Sequence, residues 1–231
     1  ITLSITSSEA IQTPTVRISG QAAAVTGSDN ITWSATYKMV AARDNGPVSL
    51  NIVFSDIAGN AGIPVNSTTN GSAVRFDKTA PELLDNLTIA SNNTLYTTMA
   101  KTGDNITLSI TSSEAIQTPS VSISGRTATV TGDNMTWSAV YTMASNDSDN
   151  VSVSLSISFS DLAGNPGSAV TSTTDGSAVW FDKTAPTLSS VTIASNNSVS
   201  TLAKTGDNVT LSITSSEAIQ TPIVLIAGQA A

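Results

Sequence analysis

The chain has 231 residues, including nine Lys and Arg and 17 Asp and Glu, but no His and no Cys. The missing His and Cys exclude a His-based catalytic triad, a thiol nucleophile, a disulfide framework and the usual zinc, copper and haem sites. The net charge of −8 argues against nucleic acid as a partner, which needs a basic protein face. No apolar run reaches the roughly 18 residues of a membrane span, so we expect none in this segment.

An internal repeat organises the sequence. Near-identical segments of the type ITLSITSSEAIQTP begin at Ile1, Ile106 and Val209, and two shorter motifs recur at the same spacing. The shorter motifs are SDIAGN at 55–60, SDLAGN at 160–165, and FDKTAP at 76–81 and 181–186. Offsets of 105 and 103 residues match the usual size of one small β domain.

The repeat boundaries predict three domains. Residues 1–79 form a first repeat that lacks its first strand, residues 80–184 form a complete middle repeat, and residues 185–231 form the N-terminal part of a third repeat. Because both ends of the chain fall inside a repeat, we expect this sequence to be a window on a longer repetitive protein.

Apolar residues alternate with Ser and Thr along the middle repeat, which is typical of half-buried antiparallel strands. In chain order the inward positions are Leu87, Ile89, Ile106, Leu108, Ile110, Val121, Ile123, Val130, Trp137, Ala139, Tyr141, Val151, Val153, Leu155, Ile157, Phe159, Val179 and Phe181. About seven strands in one repeat predict an all-β fold of tandem immunoglobulin-like β-sandwich domains. Trp33 and Trp137 are then core residues rather than a ligand-stacking surface.

The ordered motifs TSSEAIQTP, TWSATY, SDLAGN, TTDGSAV and FDKTAP resemble the bacterial Ig-like repeats of giant surface proteins and adhesins. The resemblance covers the whole chain. It implies extracellular tandem domains that act as a stalk, fibre or adhesin shaft at the cell surface. It also implies that calcium binds at domain junctions in some members, and it implies no particular ligand.

Carboxylates are predicted to gather where successive repeats meet. In an immunoglobulin-type sandwich the B–C and F–G loops share one end, which brings together Glu114, Asp161 and Asn165. The linker that carries Asp77 enters at the same end. Several hard oxygen ligands from different loops suit Ca²⁺, so the sequence predicts a calcium site here that stiffens the junction.

The same logic assigns Asp182 and Glu217 to the next junction, and Glu9, Asp56 and Asn60 to the preceding one. An alternative needs no metal. In it, Asp-x-Ala-Gly-Asn is an ordinary turn, and Glu114 is either solvated or paired with Lys78 or Lys183.

Asn-X-Ser/Thr triplets are about twice as frequent as chance predicts for this composition. They begin at Asn30, Asn66, Asn70, Asn86, Asn92, Asn105, Asn134, Asn146, Asn150, Asn196 and Asn208. One interpretation is N-glycosylation of an exposed filament. The other is that Asn-rich turns lead into Ser/Thr-rich strands.

The leading functional prediction is therefore a structural, non-enzymatic repeat module of an extracellular stalk or filament. Its partners would be neighbouring repeats, and two forms are open: a single giant chain with all repeats covalently linked, or an assembly of shorter chains that pack laterally or are completed by strand exchange. The alternative is an adhesin module that binds surface glycans or ice through hydroxyl arrays. The candidate array is the row of alternate serines Ser152, Ser154, Ser156, Ser158 and Ser160.

Overall fold

The computed structural model of the chain describes residues 1–230, and they form an all-β structure of several small open sheets. Within that range there is no helix, and hence none long and apolar enough to cross a membrane. The arrangement is sandwich-like, since apolar side chains from different sheets share common cores. The predicted all-β class is confirmed.

The first repeat contains eight short strands. They are β1 (Thr2–Thr6), β2 (Thr15–Ile18), β3 (Gln21–Ala22), β4 (Ala24–Gly27), β5 (Thr32–Thr36), β6 (Gly46–Pro47), β7 (Leu50–Val53) and β8 (Arg75–Phe76). One sheet has the order β1-β5-β4 and another the order β3-β2-β7, while β6 pairs with β8. A small core of Val16, Ile18, Ala35 and Ile52 lies between them.

The middle repeat contains ten strands around a larger core. They are β9 (Thr88–Ser91), β10 (Met99–Ala100), β11 (Asn105–Thr111), β12 (Ser120–Ile123), β13 (Arg126–Thr127), β14 (Thr129–Asp133), β15 (Thr136–Thr142), β16 (Val151–Ser152), β17 (Leu155–Ser158) and β18 (Trp180–Phe181). A four-stranded sheet of order β14-β15-β11-β9 is complemented by the sheets β13-β12-β17 and β10-β18-β16.

The strand number exceeds the predicted seven because the chain passes between sheets. Only Ala128 separates β13 from β14, and two residues separate β16 from β17, yet each pair belongs to two different sheets. The row of alternate serines that starts at Ser152 is therefore divided between two sheets and is not one straight array. Ser156 and Ser158 of β17 instead lie opposite Ser122 and Ser120 of β12.

The predicted core is confirmed by burial. Leu108, Ile123, Ala139, Ile157 and Phe181 are fully buried. Trp33 and Trp137 are 6% and 8% exposed, so both indole rings serve packing. Val130, Tyr141 and Val151 are only half-buried.

The described part of the third repeat holds four strands. They are β19 (Leu188–Ser195), β20 (Val209–Ser215), β21 (Leu225–Ile226) and β22 (Gln229–Ala230). β19 pairs antiparallel with β20, and β21 with β22. Apolar side chains of β19 stay exposed, Val191 at 53% and Ile193 at 63%.

Candidate metal centre at the junction between repeats

The SDLAGN loop holds Asp161 rigidly at one end of the middle repeat. The Asp161 backbone N–H donates to the Asn165 carbonyl at 3.1 Å, and the Gly164 N–H donates back to the Asp161 carbonyl at 3.2 Å. The Asp161 carboxylate accepts the Asn165 backbone N–H at 2.8 Å and the Asn165 side-chain amide at 2.7 Å. This closed turn explains why a 1% exposed carboxylate is tolerated there.

The loop that follows β11 positions Glu114. The buried Ser112 hydroxyl donates to the Glu114 carbonyl at 2.6 Å. Two residues further on, Ile116 forms a bridge to Asp161, and the Gln117 side-chain amide donates to the Asp161 carbonyl at 2.9 Å. The two loops are thereby tied side by side, as the sandwich topology predicts. Sequence reasoning did not identify Gln117.

The linker after β8 brings the third carboxylate. The Asp77 side chain accepts the Thr79 backbone N–H at 3.0 Å, which is a local turn bond. The Asn165 side-chain amide donates to the Asp77 carbonyl at 3.3 Å. On its other side, the linker is bonded to the first repeat, since the Lys78 N–H donates to the Asn45 side-chain oxygen at 3.0 Å.

Asp77, Glu114 and Asp161 converge at this junction. One carboxylate oxygen from each lies within 4.8 Å of the others, with Asp161 buried and the other two half-buried. Across residues 1–230, Glu114 forms no ion pair. The Lys78 ammonium donates to the Ala41 carbonyl and the Lys183 ammonium to the Ser145 and Asp147 carbonyls. The lysine pairing considered for Glu114 is therefore not formed.

The electrostatics of Glu114 and Asp161 differ. Desolvation, followed by the negative charges of Asp77 and Asp161, raises the pKa of Glu114 above its ordinary value. Burial also opposes ionisation of Asp161, but the hydrogen bonds from Asn165 and neighbouring backbone N–H groups outweigh it and lower the Asp161 pKa. The turn thus satisfies Asp161, whereas the surroundings of Glu114 disfavour its negative charge.

The donor set fits a hard cation. Three carboxylates supply oxygen ligands of the type that Ca²⁺ takes, with waters completing six to eight positions. Asp161 retains lone pairs for a metal, because each of its oxygens has two and each accepts one hydrogen bond. Asn165 donates through its amide nitrogen, so its role in this geometry is to position Asp161 and the linker.

The second junction repeats part of the arrangement. Desolvation, followed by the negative charges of Asp182 and Asp149, raises the pKa of Glu217. The buried Glu217 Oε1 has no hydrogen-bond partner among the described residues. Asp149 was not identified from sequence; it accepts the Lys183 backbone N–H at 2.8 Å, and its place in the SNDSDN run was the only signal.

The carboxylates assigned to the preceding junction do not form such a group among the described residues. Asp56 accepts the Asn60 backbone N–H at 2.8 Å and the Asn60 side-chain amide at 2.6 Å. Glu9 is exposed. The Asp56–Asn60 turn has the same two hydrogen bonds to its carboxylate as the Asp161–Asn165 turn.

The Asn residues of the eleven triplets lie at the surface. All are exposed except Asn105, which is half-buried and accepts the Thr142 hydroxyl at 2.6 Å. Asn30, Asn134 and Asn150 have positive φ angles, a conformation that Asn tolerates better than most residues. Turn geometry thus accounts for Asn at these three positions.

No protein-family model matches the chain, and no curated protein matches its sequence.

Proposed function

We propose that the chain is a spacer segment of an extracellular stalk or filament at a cell surface, built from tandem immunoglobulin-like sandwiches. Its repeats act on one another rather than on a substrate. The observation that carries this proposal is the junction at Asp77, where a short linker is hydrogen-bonded to the repeats on both sides. A linker held in this way transmits orientation from one repeat to the next.

The proposal includes calcium as the element that stiffens the junction. Asp77 belongs to the linker, whereas Glu114 and Asp161 belong to the middle repeat. A cation shared by all three would replace mutual repulsion with attraction and fix the linker against the loops. Loss of the cation would leave Glu114 in surroundings that already disfavour its charge.

Melting curves test the calcium site. We expect the 231-residue chain to melt at a higher temperature in millimolar Ca²⁺ than in chelator, because the ion binds only the folded state. Glu114→Gln should remove most of this difference. Glu9→Gln is the matched control, since Glu9 occupies the same repeat position without a linker carboxylate beside it. Equal responses of the two variants, or identical curves with and without Ca²⁺, would refute the site.

Small-angle scattering tests the spacer function separately. Each complete repeat should contribute about 40 Å, corresponding to about a dozen strand residues at ~3.3 Å each. We expect an elongated particle whose maximum dimension becomes longer and better defined when Ca²⁺ is added. A compact particle with repeats folded back on one another would contradict a spacer.

N-glycosylation is a further part of the surface proposal. Asn92, Asn146 and Asn196 are exposed triplet residues, and sugars there would coat the filament without disturbing a core. Mass spectrometry of the native material tests this proposal. Masses that equal the unmodified peptide masses at every triplet would reject it.

The alternative function is recognition of surface glycans or ice by a hydroxyl array. The observation in its favour is that Ser120 and Ser122 of β12 lie opposite Ser158 and Ser156 of β17, with three of the four exposed and Ser122 half-buried. A glycan array and an ice-recrystallisation assay test it. Ser156→Lys should abolish any signal, and a wild-type protein inactive in both assays would exclude this alternative.

A further inference from the structure

The chain contains two Asn-Gly dipeptides, at positions 45–46 and 70–71. An asparagine that precedes glycine is open to attack on its own side chain, because glycine has no Cβ to hinder the approach of its backbone nitrogen to the side-chain carbonyl carbon. The dipeptide is the same at both positions, but the surroundings of the two asparagines differ.

Asn70 lies in an exposed turn. Its side-chain oxygen accepts the Ser72 backbone N–H at 3.0 Å, and Gly71 between them has a φ of 74°. The ring closed by this hydrogen bond contains both the Asn70 Cγ and the Gly71 nitrogen, so these two atoms are kept close together. The same bond stabilises negative charge that develops on the side-chain oxygen. Within residues 1–230 the Gly71 N–H donates to no backbone acceptor.

Asn45 is held by the linker between the repeats. Its side-chain oxygen accepts the Lys78 backbone N–H at 3.0 Å, and its amide donates to the Thr79 hydroxyl. Gly46 belongs to β6 and lies opposite Phe76 of β8. Attack by the Gly46 nitrogen requires the Asn45 side chain and backbone to rotate. These contacts must break first, so the reaction has to wait for local opening.

The middle repeat has the same turn with aspartate in place of asparagine. Residues 175–177 stand at the positions of residues 70–72. The Asp175 carboxylate accepts the Ser177 backbone N–H at 2.9 Å, and Gly176 has a φ of 75°. Asp175 is exposed although the middle repeat around it is complete. The geometry and exposure of this turn therefore belong to the turn itself, and aspartate fits it as well as asparagine does.

We propose that Asn70 is a self-modification site, at which the backbone of the next residue converts the asparagine to aspartate. The Gly71 nitrogen forms a bond to the Asn70 Cγ while the bond from Cγ to Nδ2 breaks, and Nδ2 leaves as ammonia with the Gly71 amide proton. Water then opens the cyclic imide. Addition of water at Cγ gives aspartate, and addition at the main-chain carbonyl carbon gives isoaspartate. Neither step oxidises or reduces the chain.

The reaction removes one of the predicted glycosylation triplets. Asn-Gly-Ser at 70–72 becomes Asp-Gly-Ser, the sequence of the middle repeat at 175–177. An aspartate side chain has no amide nitrogen to carry an N-linked sugar, so glycosylation and self-modification compete for the same nitrogen of Asn70. The conversion itself requires neither calcium nor a sugar at any other triplet.

Mass spectrometry with peptide fragmentation tests the proposal on the 231-residue chain, incubated in mildly alkaline buffer and sampled over time. We expect position 70 to gain the mass difference between an amide and a carboxylic acid at least tenfold faster than position 45. In guanidinium chloride the linker contacts are lost, so position 45 should accelerate until the two rates agree within a few-fold. This second measurement separates the effect of the fold from that of the dipeptide.

Two variants sharpen the test. Asp175→Asn places the same dipeptide in the complete middle repeat, and it should revert to aspartate at a rate within a few-fold of that at Asn70. Asn70→Gln is the matched control. It keeps a side-chain amide at the same position, but the longer side chain moves the carbonyl carbon away from the Gly71 nitrogen, so conversion there should slow at least tenfold.

Three outcomes would overturn the proposal. They are an Asn70 that keeps its amide in the folded chain, equal rates at positions 45 and 70 before denaturation, and an Asp175→Asn variant that does not revert while folded. Circular dichroism of each variant confirms that the fold is retained, so a negative result is read on folded protein. None of these outcomes bears on the calcium site or on the spacer function.

Discussion

The side-chain amide of Asn165 donates to the Asp161 carboxylate at 2.7 Å and to the backbone carbonyl of Asp77 at 3.3 Å. One side chain thereby holds a buried carboxylate within its own loop and ties that loop to the linker from the preceding repeat. The side-chain amide of the equivalent Asn60 donates to the Asp56 carboxylate at 2.6 Å.

Substitution of Asn165 should destabilise the protein more than substitution of Asn60. Asn165→Ala removes both bonds and leaves the 1% exposed Asp161 with fewer donors, which should cost about 1–3 kcal/mol of unfolding free energy. Asn60→Ala should cost less, because Asn60 is exposed and its partner Asp56 is only half-buried. Hydrogen exchange followed by mass spectrometry reads each repeat separately. Equal losses in the two repeats would argue against a role for Asn165 at the junction.

The titration of Glu114 should make the stability of the protein depend on pH. A raised pKa in the folded state means that this group stabilises the fold most when protonated, and that the contribution is lost as pH rises through the folded pKa. In chelator, lowering the pH from 7 toward the ordinary value of 4.5 should therefore add stability from this group. Below 3.8 Asp161 acts oppositely, because protonation removes the advantage of its lowered pKa.

The measurement is a series of melting curves across this pH range. Glu114→Gln should flatten the rise in stability as the pH falls from 7 toward 4.5 and, in chelator, stabilise the protein at pH 7. In saturating Ca²⁺ the same substitution should destabilise it. A wild-type curve and a Glu114→Gln curve that stay parallel across the range would contradict this account.

Gly167 lies against the ring of Phe159. A Cβ at position 167 would overlap the ring atom Cε2, and the ring is only 7% exposed, so Gly167→Ala should cost about 1–3 kcal/mol. The Cβ of Gly62→Ala would overlap the Phe54 ring in the same way, but that ring borders an open groove beside β1. It can move outward, so the cost should be smaller. Urea unfolding of both variants measures the two losses of unfolding free energy. A larger loss for Gly62→Ala than for Gly167→Ala would contradict the explanation.

Core truncation should also depend on the groove. Ile157→Ala in the closed core should cost about 3 kcal/mol through lost burial and the cavity left behind. Ile52→Ala should cost less, because the adjacent groove is already open and no sealed cavity forms. Hydrogen exchange within each repeat measures both values, and an equal or larger loss for Ile52→Ala would contradict this explanation.

Much of the fold was readable from the residue pattern. The strict alternation through Leu155, Ile157 and Phe159 determines which side chains turn inward, because successive residues of a strand face opposite sides. The passage of the chain between sheets at Ala128 was not predicted. Alternation reports the inward face of a strand, but it carries no information about which neighbour the backbone pairs with.

The candidate site was also predicted only in part. The repeat positions of Glu114 and Asp161 and the shared end of their loops could be derived from the sequence and a sandwich topology. The sequence did not show whether Lys78 would neutralise Glu114, because a flexible lysine side chain has several acceptors within reach. In the folded protein its ammonium bonds to the Ala41 carbonyl.

The sequence by itself determined the repeat, the period-two strands and the residues that the loops contribute to the junction. These follow from local pattern and from the internal comparison of copies. Only the tertiary structure decided that Asn165 joins Asp161 to the linker and that Glu114 faces two other carboxylates with no lysine paired to it among residues 1–230. Each of these depends on distances between residues far apart in the chain, and those distances are set by packing rather than by pattern.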